Sequence, residues 1–399
     1  MDTLKELYKI GYGPSSSHTM GPQKAAKNFK NKNINADLFV VELYGSLALT
    51  GKGHLTDRIV LDTLGEEITK VIFKPEVSYE YHPNGMKFFA YENNQLIDEW
   101  LVFSVGGGTL KSIGDPREKS HKSYYRFHKM DDILEYVERR KISLFDYIIE
   151  SEDSDIFSYA LSIIEVMFAS VERGLQTTGV LPGPLKIKRR AHTIYQNYLK
   201  DSKFDSLIFA ATLAVSEENA SGGKIVTAPT CGASGVMAGA LYSYHMKNNI
   251  PKEKLAEALL VGGLIGNLVK HNASISGAEV GCQGEVGTAC SMTAASITYL
   301  EGGNSRQIEY AAEIALEHHL GMTCDPILGY VQIPCIERNA LSARRAIDSS
   351  KFALLTDGIH YISLDSVIIS LKETGKDLHP HYRETSLGGL AKLKLPIEE

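Results

Sequence analysis

The sequence predicts an α+β protein, with a mixed α/β domain over residues 1–126 and a larger all-α domain over residues 150–399. Three observations predict it. β-rich runs bounded by turn residues, two of them with a hairpin signal, fall within the first 125 residues. Apolar residues recur at three- and four-residue steps through most of the chain after residue 150. Between the two, residues 127–149 are charged and irregular, as a linker would be. A length of 399 residues suits two domains.

The elements follow in order. Residues 11–22 read GYGPSSSHTMGP, a hydroxyl-rich turn that opens a helix from about Gly21-Pro22, since proline suits the first helical position. Leu38 to Leu43 is a strand, ended by Gly45 and Ser46. Phe88 to Tyr91 and Trp100 to Val105 form a hairpin around Asn93-Asn94, closed by Gly106-Gly107-Gly108. After residue 150, Ile156, Ala160, Ile163, Met167 and Val171 mark one face of a helix. DSLIFAATLAVSEENA, KLAEALLVGGLIGNLVKH, QIEYAAEIALEHHL and NALSARRAIDSSKFALL read alike. No repeat of fixed period and no low-complexity tract interrupts them.

Composition excludes several classes. Hydrophobic residues make up 43% and charged residues 23%, enough for a sizeable core. A net charge of −6 gives no electrostatic case for nucleic acid, and the basic run Lys186 to Arg190 reads as a solvated helix start. The most apolar stretch, Ala258 to Gly266, is far short of the roughly 20 residues a membrane span needs. The first residues, MDTLKELYKIGYG, lack the apolar core of a secretory signal, so a cytoplasmic location without membrane contact is expected. All five cysteines lie in the second half, which in such a chain favours metal or redox chemistry over disulfides.

Polar, glycine-rich loops interrupt the apolar helices at residues 217–235, 271–290, 317–340 and 381–393, and such loops suggest a site. Cys282, Cys324 and Cys335 each sit in one: Cys282 among glycines, Cys324 before the turn signal Asp325-Pro326, and Cys335 after Pro334. None has the C-x-x-C spacing of a zinc finger or a bacterial ferredoxin. By spacing alone, three unrelated packing cysteines remain the simpler reading. An iron–sulfur cluster with one iron free of thiolate is the other. Ser15, Ser16, Ser17, His18 and Thr19 suit a helix N-terminus that binds a carboxylate or orients an ammonium, and a plain N-cap fits them as well.

Longer segments decide. GPSSSHTMGPQKAA, YGSLALTGKGHLTD, SVGGG, GVLPGPLKIKRRA, EENASGGKIVTAPTCGASG, NASISGAEVGCQGEVGTACSM, EHHLGMTCDPILGYVQIPCIERNA and YRETSLGGLA run through the chain. On these the whole chain resembles the iron–sulfur-dependent L-serine dehydratases (L-serine ammonia-lyases) of bacteria, with their β and α domains fused. The resemblance implies a [4Fe–4S] cluster in the α domain, held by Cys282, Cys324 and Cys335. Cys290 and Cys231 match no ligand. Cys290 is expected to pack in a helix, and Cys231 to approach the site at most. It implies His18, His54, His82 and Lys224 as catalytic residues. Ser15, Ser16, Ser17, Thr19, Asn272, Ser274, Ser276 and Arg383 become substrate-binding, with Asn219 a weaker candidate. The implied reaction turns L-serine into pyruvate and ammonia, a degradation that feeds gluconeogenesis. An open iron would act as a Lewis acid on the substrate carboxylate and hydroxyl. A homodimer is the expected assembly.

The chain departs from the family pattern at its end. GGLAKLKLPIEE lacks the terminal cysteine that in some single-chain relatives folds back onto the fourth iron, so that iron is expected open or differently capped. L-cysteine or L-threonine is the nearest alternative substrate. More remote are a pyridoxal-phosphate lyase using Lys224 with Gly106-Gly107-Gly108, and a zinc-stabilised binding protein. The base for the α-proton is not named by the sequence.

Overall fold

The computed structural model describes residues 1–113 and 122–393. Its first strand, β1 (Ile10–Tyr12), leads through a π-helical turn, Ser16–Met20, into α1 (Gly21–Lys32). Then come β2 (Leu38–Tyr44), α2 (Gly45–Leu49), α3 (Thr56–Leu64), β3 (Thr69–Lys74), β4 (Gly85–Glu92), β5 (Gln95–Ser104) and β6 (Leu110–Lys111). Five strands form one sheet in the order β3-β2-β4-β5-β6, with β2 and β3 parallel and the remaining pairs antiparallel. The predicted hairpin is β4–β5, and its two turn residues, Asn93 and Asn94, both take positive φ (50° and 64°). Phe39, Val41 and Leu43 alternate inward from β2 and meet Ala25, Ala26 and Phe29 of α1 and Val60 and Leu64 of α3.

The helical part runs α4 (Met130–Arg140), α5 (Leu144–Ser151), α6 (Ile156–Gln176), α7 (Ala191–Asp201), α8 (Phe204–Ala220), β7 (Lys224–Val226), α9 (Ser234–Asn248), α10 (Lys252–Asn272), α11 (Gly277–Val280), α12 (Thr288–Leu300), α13 (Ser305–Glu317), α14 (Cys335–Leu354) and α15 (Leu364–Asp377). Helices α8, α9, α10 and α12 are buried nearly all round, which fits their apolar sequences. No single helix among the described residues is long and apolar enough to cross a membrane.

Two features correct the sequence reading. Residues 127–149, expected to be an irregular linker, carry α4 and the start of α5. Met130, Ile133, Leu134 and Val137 give α4 a buried stripe at helical spacing, and a Ser143–Asp146 capping box starts α5. The many acids and bases of this segment cover the outer face and hide that stripe. The helical part also holds a strand: β7 pairs antiparallel with β1, Gly11 opposite Ile225. The N-terminal residues therefore belong to the helical core. Leu4, Leu7 and Tyr8 are buried there, and the Tyr8 hydroxyl donates to the Leu259 carbonyl at 2.8 Å.

Close approach of α8 and α9 depends on Gly239. A Cβ there would lie 2.6 Å from the Thr212 Cα and 2.3 Å from its Oγ1. Gly239→Ala is expected to cost roughly 1–3 kcal/mol through overpacking, read as a lower Tm by calorimetry.

Candidate functional site

Loops from both parts of the chain meet at one place. Cys282 follows Gly281, whose φ of +75° turns the chain out of α11. Cys324 lies beside residues 382–384: its N–H donates to the Tyr382 carbonyl and its carbonyl accepts from the Glu384 N–H, each at 2.8 Å. Cys335 begins α14 just after Pro334. All five cysteines are free thiols. Burial raises the Cys324 thiol, and Glu384, Glu285, Cys282 and Cys335 raise it further, so these groups share one neighbourhood. Burial pushes Cys282 up to about 11. Arg338, one turn into α14, is the facing cation. Burial works against its charge, but the three thiols and Asp325 hold its pKa above the ordinary value. Its guanidinium also donates to the Thr323 carbonyl at 2.6 Å. Gly277 keeps the space open, since a Cβ there would stand 2.8 Å from Glu285 Oε2 and 3.2 Å from Cys324 Sγ.

Beside the thiols lies a second buried group. His18, from the π-helical turn, and His54 stack with ring centroids 4.4 Å apart. Glu384 Oε1 lies 3.5 Å from His18 Nδ1 and 3.6 Å from His54 Nε2. Hydrogen-bond partners fix both tautomers. His54 Nδ1 faces the Thr50 carbonyl at 3.0 Å, so it carries the proton and Nε2 keeps a lone pair. Ser46 Oγ gives its only proton to the Glu384 carbonyl at 2.7 Å, so His18 Nε2, 3.1 Å away, must donate to Ser46. His18 Nδ1 then accepts from Ser17 Oγ at 2.8 Å. Burial lowers the pKa of both rings, His54 to about 4, and holds them neutral. Burial also raises the Glu384 carboxyl, with Glu285 adding to it.

The comparisons with known proteins fit this arrangement. The family model described as serine dehydratase beta chain matches residues 3–70, and that described as serine dehydratase alpha chain matches residues 66–391. The chain belongs to the serine dehydratase family. It is 39% identical to L-serine dehydratase TdcG of Escherichia coli (strain K12), over 97% of this chain and 98% of that protein. It is 39% identical to an L-serine dehydratase of Streptomyces coelicolor, over 97% of each chain. It is 37% identical to one of Helicobacter pylori, over 98% of each. The alignment with TdcG runs to 444 positions against 399 residues here, so that relative carries extra residues.

In this serine dehydratase family member the hydroxyl-rich turn is structural as well as site-forming. Ser15 caps it by accepting from the His18 N–H at 3.1 Å, and Thr19 Oγ1 donates to the His54 carbonyl at 2.8 Å. Ser15, Ser16, Ser17 and Thr19 are all buried. Asn219 anchors the turn by donating to the Pro14 carbonyl at 2.8 Å. His82, Ser274, Glu279 and Arg383 line a cavity of about 610 Å³ that also reaches Ser46. There His82 Nε2 lies 3.7 Å from Glu279 Oε2, and Ser274 Oγ donates to the same carboxylate. Ser276 Oγ is buried and without a partner.

Two expected residues stand apart. Lys224 is exposed on β7. Asn272 spends its amide on the carbonyls of His128 (2.7 Å) and Leu268 (3.0 Å). Neither lines the cavity or joins the His18–His54–Glu384 group. Cys290 packs in the helical core with its thiol on the Ser342 carbonyl, and Cys231 lies against Met20. Sequence reasoning missed Glu384, Glu285, Arg338 and Glu279. Glu285 and Arg338 each follow a cysteine of the set by three positions, a helical-turn signal that could have found them. Glu384 had no signal beyond its place next to Arg383 in the matched segment.

Proposed function

We propose that the chain deaminates L-serine to pyruvate and ammonia, using a [4Fe–4S] cluster held by Cys282, Cys324 and Cys335. The observation that carries this reading is the meeting of three free thiols from three loops beside the neutral His18–His54 pair. The donor set suits the cluster: soft sulfur ligands, the Arg338 cation to offset thiolate charge, and room kept by Gly277. Once bound, such a cluster supplies a Lewis acid toward a carboxylate and a hydroxyl, which eases loss of hydroxide.

The chain's own residues do the rest. His54 takes the α-proton at Nε2, the atom its Thr50 contact leaves free. Ser46, Ser17 and Thr19 hold the two imidazoles in place. Arg383 and the buried Ser276 hydroxyl offer donors toward substrate oxygens. Loss of the α-proton and of the β-hydroxyl leaves an enamine, which tautomerises and hydrolyses to pyruvate and ammonia.

The test is anaerobic purification, iron and sulfide assay, and pyruvate release from L-serine before and after air. Brown protein with about four irons, active until exposed to air, supports the reading. Brown protein active only on L-threonine or L-cysteine keeps the cluster and changes the substrate. Colourless protein active without iron overturns the cluster.

A further inference from the structure

Glu384 is a buried acid that desolvation and Glu285 bias toward its neutral form. Its residue is 4% exposed, and among the described residues its ion-pair contacts are His18 and His54 alone. Neither imidazole presents an N–H to it: His54 Nε2 carries a lone pair, and His18 Nδ1 accepts from Ser17. Its second oxygen, Oε2, is buried with no hydrogen-bond partner. With the carboxyl ionised, three open acceptor atoms face one another: His54 Nε2 and the two carboxyl oxygens. The nearby Ser17 hydroxyl is spent on His18 Nδ1. One ligand atom from each of the three residues lies within 4.8 Å of the others. Buried acceptors left this way are costly unless something brings donors and positive charge.

The backbone holds this arrangement in place. Glu384 has φ +56°, a left-handed conformation that a side chain adopts only at a cost. Its N–H and carbonyl are tied to Cys324 and Ser46, which fixes the backbone from which the carboxyl projects.

We propose that Glu384 receives the α-ammonium group of the substrate. An ammonium brings three N–H donors, no acceptor and one positive charge, which is what this pocket lacks. Fixing nitrogen on Glu384, whose Oε1 lies 3.6 Å from His54 Nε2, brings the neighbouring Cα–H close to that base. The tie from Glu384 to Cys324 places the ammonium beside the thiols. This inference rests on the reading of the site as one for a β-hydroxy amino acid, and adds that the site demands the amine.

The test compares L-serine with L-glycerate, which keeps the carboxylate and β-hydroxyl but carries a hydroxyl in place of the ammonium. In anaerobic holoprotein, Glu384→Gln is expected to raise the KM for L-serine at least about 30-fold, the effect of removing one partner of a buried charge pair. The Ki for L-glycerate should stay unchanged, which also shows that the variant is folded. A KM and Ki that rise together overturn the proposal, because the site is then simply damaged. So does a fall in kcat alone, which assigns Glu384 to proton transfer. So does one equivalent of a non-iron divalent metal that Glu384→Gln loses, which makes the cluster of acceptors a metal site. Where turnover of L-serine is absent, in wild type or variant, Tm shifts with the same two ligands read the same selectivity. An inactive chain that still prefers L-serine to L-glycerate through Glu384 would sink the reaction and leave the ammonium pocket standing.

Discussion

Cys324→Ser is expected to abolish serine turnover, by more than about 100-fold, and to strip the protein of iron and colour together. Serine matches cysteine in shape, so the fold around residue 324 should survive. Its two backbone bonds to residues 382 and 384 involve no side chain. What is lost is a soft ligand that deprotonates on binding metal, a role an alcohol with a far higher pKa does not fill. Cys282→Ser and Cys335→Ser should behave alike. Cys290→Ser is the control, because that thiol packs inside the helical core against the Ser342 carbonyl. It should keep its iron. Iron and sulfide assays on the four variants read the outcome. Full iron and activity in any of the first three would remove that residue from the ligand set.

The second large effect is kinetic. His54→Gln should lower kcat by about 10²–10⁴-fold while iron content stays normal, since a proton-transfer group is removed and no ligand is touched. The pH profile offers an independent check. Burial lowers the His54 pKa from 6.5 to about 4, so the ring stays an unprotonated base between those values. The wild-type kcat/KM should hold from pH 7 to 5 and fall only as pH approaches 4. An acid limb near 6.5 that vanished in His54→Gln would show a solvated imidazole and contradict the buried site. Stability has its own slope in this window. The unfolded histidine binds a proton below 6.5 that the folded one refuses until about 4, so lowering pH across the window destabilises the fold.

The parts legible in the sequence were those with local causes. The β4–β5 hairpin was carried by alternating apolar residues and two asparagines able to take positive φ. Helices α6, α8, α10, α13 and α14 were carried by their period. The helix α4 was lost because Asp131, Asp132, Glu135, Glu138, Arg139 and Arg140 dominate a segment whose buried stripe is four residues wide. Strand β7 is three residues long, and its partner lies at the other end of the chain, so no window of sequence contains both. The thiols were chosen through resemblance, because their meeting is tertiary and leaves no spacing signature. Lys224 looked catalytic as a lone cation in SGGKIV, but it is exposed at the start of β7. Glu384 illustrates the limit best. A glutamate beside an arginine reads as surface, and only three-dimensional packing buries it among histidines.

The antiparallel pairing of the first strand with a segment far down the chain has a consequence for birth on the ribosome. Tyr8 and the Leu259 carbonyl that receives its hydroxyl are 251 residues apart. At about 5–20 residues per second, the first turn of the polypeptide waits roughly 10–50 s for its partner to emerge. Throughout that interval Leu4, Leu7 and Tyr8 have nowhere dry to go. The sheet of residues 38–111 can close without them, but the serine-histidine turn cannot be set before the translation of its scaffold is well past halfway. Residues 4–12 are thus made long before the segments that bury them, and are among the last to find their place.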